Sequence, residues 1–227
     1  MTASGEATFS EHDAALAERL EQLYTGIIFD VMRALGHAST VFEPGIVALE
    51  REQRLAGPVW TVHGSRVEAA EPHETLLGWT RMLSAAPASS VVVCQPETEE
   101  IALMGELSSE AMKHRGVRGY VVDGGCRDTA FIRRLGFPVF CRFTTPRDIV
   151  GCWLADELGG SVTIGGVTVT TGDFLLADQD GIVVLPRDQA GEIVAAAEAA
   201  ARVENKVRAA ILAGVDPEAA YLQHGKF

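Results

Sequence analysis

The chain has 227 residues, 47% of them hydrophobic and 22% charged, with a mean hydropathy of +0.13. That composition reads as one good-sized domain able to bury roughly 70% of its surface, which excludes a disordered chain. Its 31 acidic and 19 basic residues give a formal charge of −12, the wrong sign for tracking phosphates, so no nucleic-acid partner is expected.

The four cysteines Cys94, Cys126, Cys141 and Cys152 lack CxxC spacing, and the first residues (MTASGEATFSEHD) carry acids where a secretory signal carries bases. No apolar run approaches the roughly 20 residues of a membrane span. A cytoplasmic protein without a membrane partner is expected.

Leucines and isoleucines at three- and four-residue steps from Leu16 to Leu35 predict helix over residues 10–36, started by Ser10, stopped by Gly36 and broken near Thr25. After a turn at Glu43-Pro44-Gly45, residues 55–63 (LAGPVWTVH) read as a strand and 73–85 as a helix. The run from Val91 to Cys94 has the continuous apolar pattern of a strand covered on both faces. Helix is predicted from Glu106 to Arg115, strand from Tyr120 to Asp123, helix from Asp128 to Leu135 and strand from Val139 to Phe143. Such alternation argues for an α/β fold with a parallel or mixed sheet under covering helices.

From Ser161 the period drops to two, and Gly165-Gly166 between Val162–Ile164 and Val167–Val169 marks a hairpin. Phe174–Ala177 and Ile182–Leu185 flank a turn at Asp178 to Gly181, and a long alanine-rich helix over residues 188–213 ends the chain. No linker or repeat divides these parts. The expectation is a layered β/β/α single domain over residues 1–227, with a mixed sheet, a core over 55–186 and helices at both termini.

The chemistry concentrates in two pieces, Gly105-Glu106-Leu107-Ser108 and Gly124-Gly125-Cys126-Arg127-Asp128, each where a strand or loop feeds a helix start. Unpaired N–H groups and the helix dipole favour an anion there, in the usual ligand crevice of open α/β sheets. Arg127 offers a bidentate fork to a carboxylate, and Asp128 a hard oxygen suited to Mg²⁺ or Mn²⁺. The same dipeptide also fits an exposed helix start where Asp serves for capping alone.

Glu106, a gap of twenty residues and then Arg127-Asp128 resembles the signature of the class II pyruvate aldolases. These are the 4-hydroxy-4-methyl-2-oxoglutarate / 4-carboxy-4-hydroxy-2-oxoadipate aldolases, whose wider family includes the regulator of ribonuclease activity A. Residues 25–36 (TGIIFDVMRALG), 55–62 (LAGPVWTV) and 172–186 (GDFLLADQDGIVVLP) resemble the family's first helix, first strand and late hairpin, so the likeness spans roughly residues 25 to 213.

The resemblance implies that the backbone of residues 105–108 and the Arg127 side chain hold the pyruvyl part of a substrate. It also implies that Asp128 binds a divalent metal and that Glu106 stands where the family's proton-relaying aspartate stands, one methylene longer. It further implies a 4-hydroxy-2-oxo acid substrate cleaved to pyruvate, oxaloacetate decarboxylation through the same enolate, and a homotrimer or homohexamer with sites between subunits. The chemistry agrees, because such an enolate needs either an iminium on lysine or a metal Lewis acid. The chain's lysines, Lys113, Lys206 and Lys226, all lie outside both pieces.

Glu204 reads either as the glutamate that this family lends to a neighbouring subunit or as a solvated helix face, and Asp30 has the same two readings. His73-Glu74 is either a specificity position or a plain helix start. Arg147-Asp148 lacks a partner acid at the motif spacing and is taken as structural, and Asp178, Asp180 and Gly181 as a turn. The six histidines have no zinc-ligand spacing. The rival to catalysis is a non-catalytic regulator of an RNA-degrading enzyme, whose arginine-rich disordered segment a charge of −12 would suit. A methyltransferase lacks support, with no Gly-rich loop after an early strand.

Overall fold

A computed structural model of the chain describes residues 2–3, 7–38 and 40–226; Met1 and Ser4 to Glu6 of the acidic N-terminal stretch lie outside them. The chain opens with β1 (Thr2–Ala3), α1 (Glu11–Glu21) and α2 (Thr25–Ala34). Ser10 starts α1 through a reciprocal cap: its hydroxyl accepts the Asp13 N–H at 3.2 Å, and the Asp13 carboxylate accepts the Ser10 N–H at 2.9 Å. The break near Thr25 is present because Thr25 donates both its N–H and its hydroxyl to the buried Asp178, at 2.8 and 2.7 Å, anchoring a second helix.

Next come β2 (Val47–Ala48), β3 (Leu55–Arg66), α3 (Pro72–Ala85), β4 (Val91–Gln95), α4 (Glu106–His114), β5 (Gly119–Val122), the short β6 (Gly125–Cys126), α5 (Thr129–Leu135) and β7 (Val139–Cys141). The strand expected to run to Phe143 ends at Cys141. Arg142 donates its N–H to the Gly124 carbonyl at 2.9 Å, and β8 (Phe143–Thr144) pairs with β6 instead. β9 (Trp153–Leu158), absent from the sequence reading, follows.

The hairpin of β10 (Ser161–Ile164) and β11 (Val167–Thr170) turns on Gly165 and Gly166, whose φ angles of 56° and 74° suit a two-residue turn only glycine adopts freely. β12 (Phe174–Ala177) and β13 (Ile182–Leu185) form a second hairpin, and α6 (Ala190–Leu212) is the alanine-rich helix. Helical structure does not end there. Asp216 accepts the Glu218 and Ala219 N–H groups at 3.0 and 3.2 Å and starts α7 (Pro217–His224).

Strands β3, β4, β5 and β7 run parallel side by side, with β9 antiparallel to the second half of β3 and β2 antiparallel to β7. The first half of β3 pairs with β12, which in turn carries β13. One long strand therefore belongs to two surfaces, and the mixed sheet folds over itself.

Strand alternation then sorts the side chains into layers. Val59, Val91, Val93 and Val121 meet Leu175 and Val184 between the two β surfaces. Their neighbours Trp60, Val92, Tyr120 and Val122 lie under Met82, Met112 and Ile132 of α3, α4 and α5. On the outer side of the second hairpin, Phe174, Leu176 and Val183 meet α1, α2 and α6. The expected β/β/α layering is present, and helices from both chain ends add a layer outside β12 and β13. Val91 to Cys94 are fully buried, as their unbroken apolar run requires; each valine contributes about 1.5–3 kcal/mol by leaving water. Among the described residues no helix is long and apolar enough to cross a membrane.

Candidate active site

The loops that leave β4 and β5 are stitched together. Ala102 bridges Gly125 in parallel fashion, Leu103 donates to the Gly125 carbonyl at 2.9 Å, and Arg127 donates its N–H to the Met104 carbonyl at 2.9 Å. Two pieces twenty residues apart in sequence are thereby fixed side by side, each at a helix start. Gly105 is the N-cap of α4 and Asp128 that of α5.

Asp128 has a left-handed backbone, φ 54° and ψ 33°, a conformation that Asp tolerates better than most residues. Its carboxylate makes no cap bond to α5. Instead Oδ2 accepts the N–H of Glu106, the first residue of α4, at 3.1 Å. Asp128 therefore does not cap its own helix; its carboxylate is turned toward the start of the neighbouring one. Arg127 Nε lies 3.6 Å from the same Oδ2, and Arg127 Nη1 lies 3.2 Å from Asp148 Oδ2.

The close approach of these groups requires a glycine at 105. An added Cβ would stand 2.8 Å from Asp128 Oδ2 and 3.2 Å from Arg127 Nε. Along α4, the first backbone bond runs from Ser109 N–H to the Gly105 carbonyl at 3.0 Å, so the Leu107 and Ser108 N–H groups have no partner within the helix. Trp79 Nε1 donates to Ser108 Oγ at 2.9 Å and ties α3 to α4.

All the sequence-predicted site residues, Gly105, Glu106, Leu107, Ser108, Arg127 and Asp128, line one cleft of about 480 Å³, a size suited to a small molecule. Asp148 lines it too, and the structural part read for Arg147-Asp148 is played at the cleft itself. Its Oδ1 accepts the Val150 N–H at 3.1 Å while Oδ2 takes Arg127. The repeated Arg-Asp dipeptide was visible in the sequence, but only the folded loop brings Asp148 to Arg127.

The other candidates lie outside the cleft. Glu204 accepts the Tyr24 hydroxyl and pairs with Lys226 at 2.9 Å, so it is held rather than simply solvated. Asp30 pairs with Arg33 at 2.7 Å. His73 and Glu74 are exposed at the start of α3, where Pro72 takes the first turn, which matches the plain helix start. Lys113 donates to the Leu135 carbonyl, and no lysine lines the cleft. Cys126 precedes Arg127 but is buried; its hydrogen-bonded neighbour Cys141, and then burial, hold its thiol far above the ordinary range. It stays protonated and is a poor nucleophile.

Among the described residues no group of three or more His, Cys, Asp or Glu side chains is gathered to hold a metal alone. The cleft offers hard carboxylate oxygens on Asp128, Glu106 and Asp148, and Asp128 meets the Glu106 N–H and Arg127 Nε through Oδ2. That donor set fits Mg²⁺ or Mn²⁺, ions that keep several waters and take one or two carboxylates together with substrate.

The family model described as RraA-like (Aldolase/RraA) matches residues 25–184, both motif pieces included. The chain belongs to the RraA-like family. A Halalkalibacterium halodurans protein provisionally named 4-hydroxy-4-methyl-2-oxoglutarate aldolase is 27% identical over 165 residues, 73% of each chain. A Halorhodospira halophila protein of the same provisional name is 31% identical over 153 residues, 64% of this chain and 90% of the other. The crystal structure of Streptomyces coelicolor RraAS2, described as an unusual member of the RNase ES inhibitor RraA protein family, matches with a TM-score of 0.75 at 26% identity. That likeness covers 88% of this chain and 98% of the other.

Proposed function

We propose that this RraA-like protein is a divalent-metal-dependent lyase that cleaves a 4-hydroxy-2-oxo acid to pyruvate and a second carbonyl compound. The observation that carries the reading is the turn of the Asp128 carboxylate to the start of α4. It brings a guanidinium fork, a hard oxygen and the first-turn N–H groups to one cleft.

The Arg127 fork binds the carboxylate of the 2-oxo acid, and the Leu107 and Ser108 N–H groups are donors for the same end of the substrate. Asp128 holds the cation, which when bound supplies Lewis-acid stabilisation of the charge that develops on the enolate oxygen. Glu106 takes the proton of the 4-hydroxyl. The C3–C4 bond breaks, its electron pair enters the enolate, and C4 becomes the carbonyl carbon of the second product. The proton returned to C3 completes pyruvate. Oxaloacetate reaches the same enolate by losing carbon dioxide, so its decarboxylation accompanies the main activity.

The reading extends to a homotrimer or homohexamer, for which the exposed Leu107 and Phe131 offer apolar surface; light scattering measures the assembly. The four cysteines are free thiols, which supports a reducing, cytoplasmic setting.

The deciding assay is pyruvate release from oxaloacetate and 4-hydroxy-4-methyl-2-oxoglutarate with Mg²⁺ or Mn²⁺, before and after chelation. No pyruvate from any 2-oxo acid, or a rate untouched by both chelation and Asp128→Ala, overturns the reading. A second reading, a non-catalytic regulator of an RNA-degrading enzyme, draws on the charge of −12 and the likeness to RraAS2. It requires inhibition of such an enzyme that survives Asp128→Ala.

A further inference from the structure

The cleft is charged at one part and apolar over the rest. Its charged residues are Glu106, Arg127, Asp128 and Asp148. The remaining lining includes Leu76, Trp79 and Leu83 of α3, Ala111 of α4, and Ile149 and Val150 ahead of β9. Trp79, Leu83 and Ile149 are buried, whereas Leu76 is 46% exposed, so the apolar lining extends outward to solvent. Within this chain, a 2-oxo acid with its carboxylate on Arg127 meets this lining at its distal end.

Charge balance points the same way. One guanidinium faces three carboxylates among the lining residues, and it already contacts Asp128 and Asp148. A divalent cation would offset the excess acid and leave this chain's lining no positive charge for a second substrate carboxylate. The hydroxyls add no charge at that end. Thr80 Oγ1 donates back to its own helix, to the Leu76 and Leu77 carbonyls at 3.0 and 3.1 Å, and Ser108 Oγ accepts from Trp79 Nε1 at 2.9 Å, which leaves one neutral O–H to donate. Arg134, in an adjoining recess beyond Glu106, stacks on the Phe131 ring at 4.4 Å.

We infer that the substrate carries an apolar alkyl or aryl group at its distal end in place of a second carboxylate, so that cleavage gives pyruvate and an apolar aldehyde. The inference rests on the lyase reading above. Each methylene moved from water onto such a surface favours binding by about fourfold, whereas a carboxylate moved there without a cation is disfavoured.

The test compares pyruvate release by the full-length protein with Mg²⁺ from 4-hydroxy-2-oxohexanoate, 4-hydroxy-2-oxo-4-phenylbutanoate and 4-hydroxy-4-methyl-2-oxoglutarate. Alongside it, calorimetry compares binding of 4-methyl-2-oxopentanoate and 2-oxoglutarate, which lack the 4-hydroxyl and are not cleaved. The apolar compounds are expected to lead by at least about tenfold in kcat/KM and in affinity. Thr80→Arg, at an exposed position of α3, is expected to narrow or reverse that lead by adding a cation to the lining. Equal or better use of the dicarboxylates, or an unchanged preference in Thr80→Arg, overturns the inference. Absence of pyruvate from all three compounds and from oxaloacetate sinks the lyase reading, and the binding preference then decides the apolar end by itself.

Discussion

Arg127 makes its closer ion pair with Asp148, at 3.2 Å, and not with its sequence neighbour Asp128, at 3.6 Å. Asp148 also holds the Val150 N–H, so one carboxylate braces a loop and fixes the direction of the guanidinium fork. This makes Asp148 a positioning residue. Asp148→Asn keeps an acceptor for Val150 and removes the charge. It is expected to lower kcat/KM for 2-oxo acids on the order of tenfold, mainly through KM, with partial recovery in Asp148→Glu. Steady-state pyruvate kinetics on the two variants check this, and a loss confined to kcat would contradict the assignment.

Gly105→Ala introduces a Cβ 2.8 Å from Asp128 Oδ2 and 3.2 Å from the Arg127 side chain, at a backbone φ of −148° that alanine adopts without difficulty. The damage is therefore expected in the site and not in the backbone. Pyruvate release is expected to fall by about a hundredfold, with a thermal midpoint close to that of the parent. Full activity in this variant would show that the carboxylate and the guanidinium do not need their present positions.

Asp128→Asn separates the charge from the backbone. Asparagine tolerates the left-handed conformation at φ 54° and can still accept the Glu106 N–H. Its stability is expected to lie within about 0.5 kcal/mol of the parent, while metal-dependent pyruvate release is lost. Retained turnover, or a large drop in the denaturation midpoint, would show that the carboxylate serves the fold.

His63, near the end of β3, is flanked by Asp156 at 2.5 Å and Glu97 at 3.5 Å. Partial burial lowers its pKa, but the two acids outweigh burial and the net effect is a rise above the ordinary value. A raised folded-state pKa contributes stability fully present below the unfolded value near about 6.5 and lost as pH rises through the folded one. The thermal midpoint is therefore expected to decline above about pH 6.5 more in the parent than in His63→Asn. The difference should stay below about 1 kcal/mol, because the pair is partly solvated. Parallel pH profiles for the two proteins would remove His63 from the linkage.

What the sequence made legible was local. The leucine spacing of α1 and α2, the apolar run of Val91 to Cys94 and the Gly165-Gly166 turn each impose their structure through nearest neighbours. Both site pieces were readable for the same reason, since each is a strand or loop entering a helix. β9 escaped because its second half, Ala155-Asp156-Glu157-Leu158, breaks the apolar alternation with exposed acids. The role of Asp148 and the aim of the Asp128 carboxylate escaped because they depend on bonds between distant loops, such as those joining Ala102 to Arg147 and Arg127 to Met104.

The twenty-residue interval between Glu106 and Arg127 is the contour of one return trip, along α4, back through β5 and out again by β6 to the same end of the sheet. Its length is consequently a ruler. One residue inserted in α4 would turn the rest of that helix by about 100°, and one slipped in β5 would exchange the sides faced by Tyr120 and Val121. Exposed positions such as Glu110 and Arg115 can change in identity without altering that length, whereas a change of count inside α4 or β5 alters it. Glu106 and the Arg127-Asp128 pair are thus spaced as a single measured unit by the elements between them.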